Sequence, residues 1–182
     1  FDSKAVKFSA AIAIAAAGPK QAFPESKLVV ANLAEALAQS SEQPSDNAPM
    51  WSGSLADTYS LRAAKVMLKI AQTRNPVLDL SPAQDALIAA TKSKRMEIQM
   101  LAGQILAYLN TPAAQQAIIT MAMAEGNSQD IRVSAFGSLA VSAKVNGNKL
   151  DDTAINALYA LVSSKDIDPN LRAAAAAAYG AL

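Results

Sequence analysis

Arg62, Lys65 and Lys69 stand three and four residues apart, the spacing that lines side chains up in one row on an α-helix. Such a row of cations can hold carboxylates or phosphates through charge-assisted hydrogen bonds. The same spacing also describes an ordinary solvated helix face. Arg95 belongs to a less regular set of bases with Lys4, Lys94 and Lys144. Catalysis has little to work with, because the chain contains neither histidine nor cysteine. That removes the commonest general base, the thiolate nucleophile, disulfides and thiolate metal sites. Asp151-Asp152 read as a helix N-cap with a favourable dipole contact, and Asp79 and Asp85 bracket a helix start at Ser81-Pro82. No catalytic, metal or cofactor residue is assigned, and the expected work is binding.

Met50-Trp51 is the other candidate. It lies in Ser40–Gly53, a polar stretch bearing Pro44 and Pro49 where a few residues would connect two helices. Loops this long in a compact array are usually functional or disordered. A tryptophan beside a flexible methionine suits an interface, and it equally suits a plug between neighbouring units. The plug is preferred, since a lone tryptophan is seldom left in water.

These residues need elements to carry them, and the elements are helices. The eight prolines fall between helical patterns or in first turns, where the missing N–H is tolerated. Ser81-Pro82, Thr111-Pro112 and Asp168-Pro169 read as N-cap followed by proline. Apolar residues recur on one face at Leu28, Val29, Leu33, Ala36 and Leu37, again at Ala114, Ile118, Met121 and Ala122, and again at Ile155, Leu158 and Leu161. Seven residues after each cap comes Leu33, Ile88, Ile118 or Leu158. The pattern predicts about nine helices: 2–17, then 27–39 with 56–73, 82–92 with 96–109, 112–124 with 129–144, and 152–164 with 169–182. No alternating run signals a strand.

One phrase recurs down the chain, an apolar anchor, usually a base, then small residues. Its anchors are Val6, Leu61, Ile98, Ile131 and Leu171, in steps of 55, 37, 33 and 40 residues. The fullest version, Asp166-Ile167-Asp168-Pro169-Asn170-Leu171-Arg172 with six alanines after it, resembles the HEAT-repeat pattern. Asn127–Arg132 and Asp57–Arg62 match it more loosely, and Lys94–Gln99 loses the base. The resemblance implies an all-α, right-handed α-α superhelix of antiparallel helix pairs, a solenoid whose second helices line the concave side. Its units would be a partial one over 1–18 and whole ones over about 26–73, 81–109, 111–144 and 151–182. The five anchors should then be buried in equivalent places. HEAT arrays are mostly protein-binding scaffolds, and a minority are nucleic-acid binders or enzymes such as lyases.

The recurring bases Lys7, Arg62, Arg132 and Arg172 could form a ladder for an anionic ligand. The preferred reading pairs each with a nearby acid, as the family's Asp–Arg ladder does, with Asp2, Asp57, Asp130 and Asp168 at hand. Lys65 departs from the repeat, whose other units place Ala10, Ala102, Ala135 and Ala175 there. With 16 bases against 15 acids and 5% aromatic residues, nothing in the composition favours nucleic acid. The longest apolar run, Ala10–Ala17, falls short of a membrane span. The expected partner is a protein or peptide, and compartment is left open. Because the phrase begins mid-unit at Phe1 and an alanine-rich helix closes the chain, a fragment of a longer array is expected. Its uncovered ends would then favour end-to-end self-association.

Overall fold

The computed structural model describes residues 4–39 and 53–182, and among these the secondary structure is wholly helical. It comprises α1 (Lys4–Ala17), α2 (Ser26–Leu37), α3 (Gly53–Gln72), a 3-10 turn (Ser81–Ala83), α4 (Gln84–Ala90), α5 (Met96–Leu106), α6 (Pro112–Met123), α7 (Gln129–Asn146), α8 (Asp152–Ser163) and α9 (Pro169–Tyr179). The all-α expectation is met. The segment holding Met50 and Trp51, and the acid Asp2, lie outside the described residues.

Side-chain caps explain the starts of α6, α8 and α9. Thr111 Oγ1 accepts from the Ala114 N–H, Asp151 from Ala154 at 2.8 Å, and Asp168 from both Asn170 and Leu171. Each satisfies an N–H that the first helical turn leaves without a partner. Ser81 behaves differently from expectation. Its own N–H and hydroxyl donate to Asp79 Oδ1, and the chain opens with a 3-10 turn. Three residues wound at three per turn advance the helix by about 60° beyond α-helical phase. Leu87, fully buried, therefore takes the core position expected of Ile88, which is half-buried. Leu33, Ile118 and Leu158 are fully buried as expected.

The chain divides into two units, Phe1–Ala90 and Thr91–Leu182. The boundary falls between the two helices of the expected unit 81–109. In the first, α2 packs on α1, on α3 and on α4 with its 3-10 turn, while α1 and α3 pack side by side. Tyr59 meets Phe8 and Ser9 near one end and Lys69 meets Ala16 near the other, so α1 and α3 run parallel. The core gathers Phe8, Ile12, Leu33, Leu37 and Met67. Two residues past the end of α3, Arg74 takes a φ of 47°, and Asn75 Oδ1 then accepts from Val77 and Leu78.

In the second unit α5 packs on α7 and α7 on α9, α6 packs on α8, and α6–α7 and α8–α9 form adjacent pairs. Here three anchors behave as expected, Ile98, Ile131 and Leu171 all being buried. The first unit does not follow. Val6 is 64% exposed and Leu61 is half-buried. The core positions there belong to Phe8 on α1 and to Tyr59, Ala63, Ala64 and Met67 on α3. A fully buried phenylalanine removes more apolar area than valine and wins the contact with α3. The match of Val6-Lys7 and Leu61-Arg62 to Ile131-Arg132 is one of sequence, without the same burial.

Candidate functional site

α3 is amphipathic in a way that isolates its bases. Tyr59, Ser60, Ala63, Ala64, Met67, Ile70 and Ala71 are buried, while Thr58, Arg62, Lys65, Lys69 and Gln72 are exposed. The exposed set steps by four and three, so it forms a straight row along the helix. The three bases foreseen from the sequence are thus brought together on one face. The Arg62 guanidinium lies 5.6 Å from the Tyr59 ring centroid, within range of a cation–π contact. Tyr59 is itself fixed, its hydroxyl 2.9 Å from Ser9 Oγ and its ring 5.9 Å from that of Phe8. Lys69 Nζ donates to the Ala16 carbonyl at 3.1 Å, in the last turn of α1, where a cation also meets the negative end of the helix dipole. The row is therefore a positioned set of charges, able to recognise anionic groups.

Arg95 is not part of this row. It is the N-cap residue of α5 in the other unit, half-buried, and its backbone N–H donates to Ser93 Oγ at 3.1 Å. Met50 and Trp51, the remaining candidates, fall outside the described residues.

Two of the recurring bases have partners of a different kind from those expected. Arg132 Nε donates to the Ala122 carbonyl at 2.9 Å, and Arg172 Nη1 to the Ser164 carbonyl at 3.4 Å. Each acceptor lies at the C-terminal end of the preceding helix, where carbonyls lack intrahelical donors. The acid pairing expected for these two arginines is replaced by this bond to the main chain. Asp168 is engaged as the α9 cap and as acceptor from Gln129 Nε2 at 2.8 Å. Lys7 does pair with an acid, though with Glu35 of α2.

A feature that reading the sequence missed is an open cleft of about 540 Å³ in the second unit. Lys92, Ser93, Lys94, Gln99, Asn127 and Ser128 supply its polar side. Gln99 occupies the slot where other units place a base. Its Nε2 donates to Asn127 Oδ1 at 3.0 Å, and Asn127 Nδ2 donates to the Met121 carbonyl at 2.8 Å. The missing base at Gln99 is the sequence signal that marks this spot. The two amides hold the α6–α7 turn in shape and are occupied in doing so. Among the described residues, no group of three or more acidic side chains is placed to hold a metal ion, and no helix is long and apolar enough to cross a membrane.

No family model, curated protein or solved structure matches the chain.

Proposed function

We propose that this chain is a HEAT-like solenoid serving as a non-enzymatic scaffold for another protein. Repetition inside the second unit supports the architecture. α5, α7 and α9 lie in succession, and Arg132 and Arg172 each donate to a main-chain carbonyl at the end of the preceding helix. A stack of this kind offers extended surfaces built from several helices, which suits recognition of a macromolecule. The observation that carries the functional reading is the exposed row of Arg62, Lys65 and Lys69 on α3. Its charges share one side of a single helix, and the chain has no imidazole or thiolate to add chemistry beside them. Nucleic acid is disfavoured as the ligand by the near-neutral charge and the few aromatic residues.

Capture from native extract followed by crosslinking tests this reading. A defined protein partner should be recovered in stoichiometric amount. Turnover of a small molecule by the purified chain would overturn the reading. So would preferential recovery of nucleic acid with affinity falling steeply as salt rises.

A further inference from the structure

We propose that the α1–α3 face of the first unit is a docking site for an amphipathic helix of a partner, one bearing carboxylates along one side and apolar residues beside them. This rests on the scaffold reading and names the chemistry of the partner.

Within α1 and α3 the charged residues are almost all basic. α1 contains no acid, and α3 contains Asp57 alone, N-terminal to the basic row. Along the parallel neighbour α1, the outward positions are apolar: Val6 at 64% exposure, with Ala10, Ala13 and Ala17 exposed in line with it. α2 packs on both helices, and these exposed positions lie on the sides of α1 and α3 opposite their buried residues. Lys69 reaches the α1 main chain at Ala16, so the basic row borders α1 next to its exposed apolar row.

The spacing favours a helical occupant. Arg62 and Lys69 are separated by about 10.5 Å of helical rise. A partner helix has the same rise, so carboxylates at i, i+4 and i+7 face the three bases one for one when it runs antiparallel. An extended peptide, rising about 3.3 Å per residue, places three same-side carboxylates over about 13 Å and overshoots. Apolar side chains next to that acidic edge would cover Val6 and Ala13, and alanines on α1 allow the close approach of helix to helix.

The test uses the full chain and a fluorescein-labelled, helix-stabilised peptide with glutamates at i, i+4 and i+7 beside a leucine row. Its glutamine and lysine counterparts serve as comparisons, with anisotropy as the readout. The glutamate peptide should bind roughly tenfold tighter than the glutamine peptide at low salt, and the advantage should shrink as salt rises. R62E/K65E should lose that preference and favour the lysine peptide. This reversal cannot come from misfolding. Lys69 is left in place because it also holds the Ala16 carbonyl. Val6→Asp should weaken the glutamate peptide by a similar factor. Equal affinity for the glutamate and glutamine peptides, absence of the reversal, or tighter binding of a single-stranded oligonucleotide would overturn the proposal. If R62E/K65E still captures the native partner and the peptides are not distinguished, this site falls and the scaffold reading stands. Selective glutamate-peptide binding with no captured protein supports the site and counts against the scaffold.

Discussion

An arginine that donates to a carbonyl at the end of a helix satisfies a group that would otherwise be desolvated without a partner. Hydrogen bonds from charged donors contribute about 1.5–3 kcal/mol, more than neutral ones. Arg132→Leu should therefore lower stability by about 1.5–3 kcal/mol in urea melts, its bond to Ala122 being 2.9 Å and partly buried. Arg172→Leu should cost less, since its bond to Ser164 is 3.4 Å long. Asp168→Ala removes the acceptor of two N–H groups at the start of α9 and should cost about 1 kcal/mol, with Asp168→Asn retaining most of it. Thermal melts of the pair check this.

At the scale of the element, glycines give the sharpest expectation. Gly137 lies inside α7, exposed, and a Cβ built there meets nothing within 4 Å. Gly137→Ala should raise stability by about 0.5–1 kcal/mol through helix propensity. Gly103, inside α5, should show no such gain, because its Cβ would come 2.5 Å from Met121 Cε and push that side chain aside. Circular dichroism melts of both variants test the contrast. The helices and their caps were largely legible because Thr111, Asp151 and Asp168 announce themselves in type and position. The basic row on α3 was legible for the same reason, since helical spacing alone assembles it. The burial of Phe8 in place of Val6 was not, because matching the apolar-base-small phrase ignores which side chain fills more space. Nor were the acceptors of Arg132 and Arg172, since a carbonyl freed at a helix end carries no residue type to read. The cleft beside Gln99 needed the α6–α7 turn to be placed first.

At the scale of the whole molecule, each unit has its own buried apolar cluster. Thr91–Leu182 contains the fully buried Phe136, Ile118, Leu139 and Leu158 and should fold when expressed alone. Helical circular dichroism with one cooperative melt is the expected result. Phe136→Ala, costing about 3–5 kcal/mol, should abolish that melt. The side-chain bonds that tie one helix end to another reach back across about one helix pair. Asn75 Nδ2 reaches the Pro19 carbonyl, 56 residues back, and Asn146 Nδ2 reaches the Ala107 carbonyl, 39 residues back. Every packed pair of helices within a unit is adjacent or next but one in chain order, and such local packing favours rapid folding. During synthesis each helix can settle on its predecessors soon after it leaves the ribosome, without waiting for distant residues to appear. A chain of this kind exposes its apolar faces only briefly, so its alanine-rich helices have little time to find the wrong neighbours.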